Sequence, residues 1–178
     1  MKRATDRDFA AVRLLITDVD GVLTDAGMYY DGDGPALMRF SIVDGLGMVL
    51  LSRAGVDIAI LTSGDYGPLM ARAKRLAVKH LRTGIMDKGK YLPDFLKEIG
   101  VGTKHVAYMG DDINDHSAMR QVALPIAVRD AQPEILAIAH HVTVASGGRG
   151  AVREVANRIL LAKGLDPVKL WDDGEEGK

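Results

Sequence analysis

The chain contains no cysteine, which excludes disulfides and thiolate metal centres and agrees with a reducing compartment. It carries almost no net charge, −1 at neutral pH, so neither nucleic acid nor an anionic membrane surface is an expected partner. No apolar run reaches the length of a membrane span. The charged start Met1-Lys2-Arg3-Ala4-Thr5-Asp6-Arg7-Asp8 leads into no signal-peptide apolar segment. A soluble, cytoplasmic protein is the expectation. Internal repeats and low-complexity linkers are also missing. His80, His105, His116, His140 and His141 are scattered without the spacing of a histidine metal site, and they read as structural or surface residues.

What is present is an ordinary globular balance. The 178 residues, 47% hydrophobic and 26% charged, suffice for one domain with one core, expected over residues 1–171. Short apolar runs alternate with longer segments of helical period. That is the pattern of an α/β fold, a Rossmann-like parallel sheet flanked by helices. Strands are expected at 14–16, 56–61, 105–109, 125–128 and 141–144. Helices are expected at 45–54, 66–76, 89–99, 113–122, 131–139 and 150–163. Pro93 argues that the third helix begins later than residue 89, so that the proline falls in its first turn.

Residues 27–41 break the alternation. Two extended arms, 28–30 and 37–40, flank Asp31-Gly32-Asp33-Gly34, and the paired Asp-Gly steps predict a β-hairpin. A projection with Tyr29, Tyr30 and Leu37 on it cannot bury both faces alone, which suggests a partner subunit. The alternative is that it packs back on its own domain. Residues 172–178, acidic and glycine-rich, read as a disordered tail.

In an open α/β sheet, ligands bind outside the carboxyl ends of the strands. Four strand ends or loops here carry polar residues that converge chemically. Asp18-Val19-Asp20-Gly21 follows the first strand, and two carboxylates in alternation repel unless a cation or a division of labour relieves them. Gly110-Asp111-Asp112-Ile113-Asn114-Asp115 follows another, with three carboxylates where a helix cap needs one. Such oxygen-rich clusters suit Mg²⁺ rather than Zn²⁺. Thr62-Ser63-Gly64 offers hydroxyls and backbone N–H groups at a helix start, a ready seat for a phosphoryl group. Lys88 would neutralise both an acidic site and a transferring phosphate.

These four pieces, in this order, resemble the signature motifs of the haloacid dehalogenase superfamily of phosphotransferases. Only 43 residues separate Asp18 from Thr62, and 25 separate Thr62 from Lys88, so no cap domain fits. The segment 14–25, Asp44-Gly45-Leu46-Gly47 and Gly147-Gly148-Arg149-Gly150-Ala151-Val152-Arg153-Glu154 are further similar to the 3-deoxy-D-manno-octulosonate 8-phosphate (KDO 8-phosphate) phosphatases. That likeness covers roughly residues 10 to 163. It implies a Mg²⁺-dependent phosphatase acting through an aspartyl-phosphate, with Asp18, Asp20, Thr62 and Lys88 catalytic. It implies metal ligation by Asp18, Asp111 and the Asp20 backbone carbonyl. Asp112 and Asp115 would lie behind these, orienting Lys88 and a metal-bound water respectively.

The same resemblance implies substrate contacts from Asp20, Asp44, Ser63, Gly64, Gly147, Gly148 and Arg149, the last three on a flexible arm. It also implies a homotetramer built on the 27–41 hairpin, in which a neighbour closes the site. Where the family commonly has Thr-Gly-Arg and Phe-Asn, this chain has Thr62-Ser63-Gly64-Asp65 and Phe40-Ser41. Arg72 or Arg75 is the available replacement for the missing arginine. Other readings are a phosphatase of nine-carbon 2-keto sugar acid 9-phosphates, and a non-catalytic tetramerisation module like the domain fused to cytidylyltransferases that activate sialic acid.

Overall fold

All four residues of β1 (Leu14–Thr17) are buried, as befits a strand with neighbours on both edges and helices on both faces. The computed structural model describes residues 3–173. A short helix α1 (Asp6–Ala10) precedes β1, and the hairpin β2 (Met28–Asp31) and β3 (Gly34–Met38) follows it. Next come α2 (Ile42–Arg53), β4 (Asp57–Leu61), α3 (Gly67–Arg75), β5 (His80–Arg82) and α4 (Lys88–Glu98). The chain continues through β6 (Val106–Gly110), α5 (Ile113–Met119), β7 (Leu124–Ala127), α6 (Pro133–Ile138) and β8 (His141–Val142). It ends in α7 (Ala151–Ala162) and α8 (Pro167–Asp173).

The sheet order is β5-β4-β1-β6-β7-β8, and every pairing in it is parallel. The chain winds outward from β1 through β4 to β5, then returns to the other side of β1 with β6. The switch point therefore lies between β1 and β6, where the carboxyl ends open a crevice. Asp18 and Asp111 each stand one residue past those two strands. The core around the sheet is aliphatic, with Phe9, Phe95 and Tyr108 its large fully buried aromatics. No helix among the described residues is long and apolar enough to cross a membrane.

The hairpin forms as expected, with an irregularity in register between Tyr29 and Tyr30 and a turn in which Asp31 Oδ1 accepts from the Asp33 N–H at 2.9 Å. Nothing larger lies between β1 and α2, so the fold is capless. Met38 and Phe40 pack against the core, while Tyr29, Tyr30 and Leu37 remain exposed.

Three expectations need correction. Helix α4 starts at Lys88, capped by Asp87, and Pro93 lies in its interior rather than its first turn. Proline removes the N–H that would bond the carbonyl four residues back. That carbonyl, on Gly89, accepts instead from Gln121 Nε2 at 2.8 Å. Second, Asp172 and Asp173 are the end of α8 rather than a tail, and residues 174–178 lie outside the described residues. Third, α1, β5 and α8 were absent from the expected elements. Each is short, and three half-buried residues with no alternation, as in β5, carry no strand signal of their own.

Candidate active site

The site begins with the turn after β1. Asp18 continues the strand, its N–H donating to the Met109 carbonyl at 3.1 Å, and its Oδ1 accepts from the Val19 N–H at 2.7 Å. Gly21 takes φ +80°, which reverses the chain beside the carboxylate. Lys88, first residue of α4, reaches in from beyond β5, at the same carboxyl edge of the sheet. Its ammonium lies 2.8 Å from Asp18 Oδ2 and 2.8 Å from Asp115 Oδ1, and its side chain is fully buried. Asp115 is held further by the Tyr108 hydroxyl, 2.9 Å from Oδ1, and by the Asp111 N–H, 3.2 Å from Oδ2.

Asp115, not Asp112, is therefore the carboxylate that orients Lys88. Asp112 caps α5, accepting from the Ile113 N–H at 2.7 Å. The helical turn between 111 and 115 carries the second carboxylate back under the strand end, whereas the residue before the helix points to its free N–H groups.

Oxygens of Asp18, Asp111 and Asp115 all come within 4.8 Å of one another. One ammonium faces three carboxylates. Burial, followed by the Asp115 charge, lifts the Asp18 carboxyl to about 7 despite the opposing pull of Lys88. Burial, then Asp18 and Asp115, lifts Asp111 to about 8. Burial alone would lower the Lys88 ammonium, but Asp115 and Asp18 outweigh it and its affinity for the proton rises. Asp111 Oδ1 is buried with no hydrogen-bond partner. A divalent cation fits all of this: the donors are hard oxygens, one is orphaned, and the cluster lacks positive charge. Asp115 and Asp18 both have their oxygens engaged, so Asp111 Oδ1 is the free oxygen the cluster offers an ion, with Asp18 within reach of the same point.

Asp20 stands half-buried beside them. Burial raises its pKa, opposed by the neighbouring Tyr66 hydroxyl and by the Lys88 charge. Thr62, at the end of β4, is buried, and its Oγ1 accepts from the Gly64 N–H at 3.1 Å, turning the backbone toward α3. Asp18, Asp20, Thr62, Lys88 and Asp111 thus occupy adjacent strand ends, and Ser63 and Gly64 continue from Thr62.

The expected substrate contacts divide. Asp44 is buried on α2, and both its oxygens are taken. Oδ2 accepts from the Gly150 N–H at 3.0 Å and Oδ1 from the Arg153 N–H at 2.9 Å. Gly150, the residue just before α7, has no side chain to cap it, so Asp44 supplies the cap from another helix. Asp44 is a structural tether here rather than a free contact.

Gly147 and Gly148 are not a loose arm either. A Cβ on Gly147 would overlap the Gly21 carbonyl, and one on Gly148 would overlap the Thr24 backbone. Gly148 also takes φ +61° and donates to the Val22 carbonyl at 2.9 Å. These two glycines let the chain press on the turn that carries Asp18. Arg149 remains on the rim, 3.2 Å from Asp25 Oδ2, an atom shared with Arg39 at the same distance. Arg72 is committed elsewhere, its Nη2 donating to the Ser41 carbonyl at 2.8 Å. Asp65 and Arg75 are exposed.

Sequence reasoning passed over Tyr66 and Tyr108. Tyr108 lies inside an apolar strand and reads as core; a buried tyrosine needs a partner for its hydroxyl, and that rule alone pointed toward an acid. Tyr66 sits in a helix-start segment where nothing marks it.

A parallel sheet with an Asp-x-Asp turn at its switch point, a buried lysine and a second acidic strand end defines a class of hydrolase. The sequence profile of the haloacid dehalogenase-like hydrolases matches residues 57–154, and the chain belongs to that family. Among its relatives, the KDO 8-phosphate phosphatase KdsC of Yersinia pestis is 44% identical over 154 residues, covering 86% of this chain and 82% of that protein. KdsC of Escherichia coli K12 is 40% identical over 159 residues, covering 89% and 85%.

Solved structures agree. The KDO 8-phosphate phosphatase from Yersinia pestis superposes with a TM-score of 0.86 at 42% identity, over 89% of this chain and 86% of that one. The enzyme from Moraxella catarrhalis, in complex with magnesium, phosphate and KDO, gives a TM-score of 0.86 at 34% identity, over 89% and 91%.

Proposed function

We propose that the protein is a phosphomonoesterase that hydrolyses KDO 8-phosphate to KDO and phosphate. The observation that carries the chemistry is Lys88, buried between Asp18 and Asp115 beside the unpartnered Asp111 oxygen. The substrate follows from the relatives named above, which match over most of both chains.

In this reading an Asp18 carboxylate oxygen attacks phosphorus, and the bond from phosphorus to the sugar oxygen breaks. Asp20 gives its proton to the departing sugar alkoxide, then takes one from the water that cleaves the aspartyl-phosphate. Thr62 and Lys88 hold the phosphoryl oxygens, and Lys88 also keeps Asp18 turned toward them. Asp115 and Tyr108 fix Lys88 in turn. Mg²⁺, held by Asp18, Asp111 and the Asp20 backbone carbonyl, would supply positive charge against the phosphoryl oxygens.

Ser63, Gly64 and Arg149 line the approach, with Arg149 available to a sugar carboxylate once it leaves Asp25. With no cap, an adjoining subunit is the natural cover. Tyr29 is 66% and Leu37 65% exposed on paired positions of the hairpin, and Ile42, which opens α2, is 81% exposed. These uncovered apolar side chains support a homotetramer joined through residues 27–41.

The test is phosphate release from a panel of sugar phosphates with and without Mg²⁺. KDO 8-phosphate should be hydrolysed fastest, only with the metal, and not by Asp18→Asn. Preference for a nine-carbon 9-phosphate would replace the substrate. No release from any compound would make the chain a non-catalytic module.

A further inference from the structure

Two guanidiniums meet on a single carboxylate oxygen at the rim of the site. Arg39 Nη1 and Arg149 Nη2 each lie 3.2 Å from Asp25 Oδ2. Arg39 Nη1 also donates to the Gly148 carbonyl at 3.0 Å. Asp25 closes the turn that Asp18 opens, and Gly148 presses on that turn at Thr24 and donates to the Val22 carbonyl. The pair therefore stands where the Asp18 turn and the 147–149 segment meet. It is assembled from distant parts of the chain, for Arg39 follows β3 of the hairpin and Arg149 precedes α7.

Charge and donors are left over at this point. Two cations face one carboxylate, so the cluster keeps a net positive charge. Among the described residues, Arg39 uses only Nη1 and Arg149 only Nη2 in side-chain hydrogen bonds. A guanidinium offers five N–H donors in a flat fork whose geometry matches a carboxylate. Both arginine side chains are at least half exposed. Exposed ion pairs are weak, so Asp25 can be exchanged for another carboxylate at small cost.

We propose that Arg39 and Arg149 together form the seat for the substrate's carboxylate, and that Asp25 occupies this seat until the substrate arrives. One oxygen of the incoming carboxylate replaces Asp25 Oδ2 between the guanidiniums, and their unused N–H groups take the other. A sugar acid phosphate carries its carboxylate and its phosphate at opposite ends of the carbon chain, so its two charged ends call for two seats. Asp18 and Lys88 serve the phosphate, and the arginine pair serves the carboxylate. Arg39 is thereby a specificity-determining residue. The inference rests on the reading of the substrate as a sugar acid phosphate.

The experiment measures kcat and KM with Mg²⁺ on KDO 8-phosphate and on p-nitrophenyl phosphate, which has no carboxylate. Arg39→Met keeps most of the side chain's length and loses every donor. It should raise KM on KDO 8-phosphate about 10- to 100-fold, with kcat little changed. On p-nitrophenyl phosphate, kcat/KM should change by no more than about threefold. Asp25→Asn keeps the shape of the side chain and removes the competing charge. It should lower KM on KDO 8-phosphate about 3- to 10-fold. A merely structural pair would not give opposite directions, since breaking it from either side has the same effect.

An unchanged KM in Arg39→Met, equal losses on both substrates, or a KM that fails to fall in Asp25→Asn would overturn the proposal. The unaltered protein separates this failure from that of the substrate reading. If it hydrolyses KDO 8-phosphate no better than p-nitrophenyl phosphate, the sugar acid reading has failed and the carboxylate seat with it. If it prefers KDO 8-phosphate and Arg39→Met keeps that preference in full, only the seat has failed.

Discussion

Lys88 Nζ lies 2.8 Å from Asp18 Oδ2, with the lysine side chain entirely out of solvent. A buried ammonium is tolerated only against charge, and here it is shared between Asp18 and Asp115. The same contact turns one Asp18 oxygen inward and leaves the carboxylate fixed.

Removing that ammonium leaves two buried carboxylates facing each other. Lys88→Met should destabilise the metal-free protein by about 3–5 kcal/mol, the usual cost of breaking a buried pair from one side. Urea unfolding measures it. An unchanged midpoint would mean that the pair does not hold the site.

The raised carboxyls make a pH prediction whose sign is fixed. Asp18 and Asp111 bind protons more tightly folded, at about 7 and about 8, than an ordinary aspartate carboxyl at 3.8. Their stabilising contribution is therefore complete below pH 3.8 and is lost as pH rises through 7 to 8. Metal-free protein should melt at lower temperature at pH 8 than at pH 6. Protons and metal compete for the same oxygens, so Mg²⁺ should raise the melting temperature more at pH 8. At a hundredfold excess over Kd the gain is about 2.7 kcal/mol. A magnesium shift that is larger at pH 6 would contradict the cluster as the metal site.

Asp44 separates a tether from a substrate contact. Asp44→Ala removes the cap from α7 and should cost about 0.5–2 kcal/mol of stability. Because α7 follows the segment pressed on the Asp18 turn, kcat should fall with little change in KM. A raised KM at unchanged stability would return Asp44 to the substrate site.

The motifs were legible because each falls where an apolar run stops, and a run of buried strand residues such as 14–17 can be read without knowing its neighbours. The parallel sheet and the capless spacing followed from the same alternation and from counting residues. What escaped depends on contacts between segments far apart in sequence. Asp44 and Gly150 are joined only by the crossing of α2 and α7, so nothing local marks Asp44 as a cap. Asp112 and Asp115 could not be told apart until the helix between them fixed their directions. Gly147 and Gly148 looked mobile because glycine is permissive, yet here the missing side chains serve close packing. Pro93 misled because its cost is met by Gln121, a residue 28 positions away.

The covalent role of Asp18 is tested most directly by stereochemistry at phosphorus. Hydrolysis of a substrate phosphate made chiral with oxygen isotopes reports how many displacements occur. Two in-line steps, first by Asp18 and then by water, give retention of configuration. Inversion would mean that water attacks the substrate directly and that Asp18 is not the nucleophile.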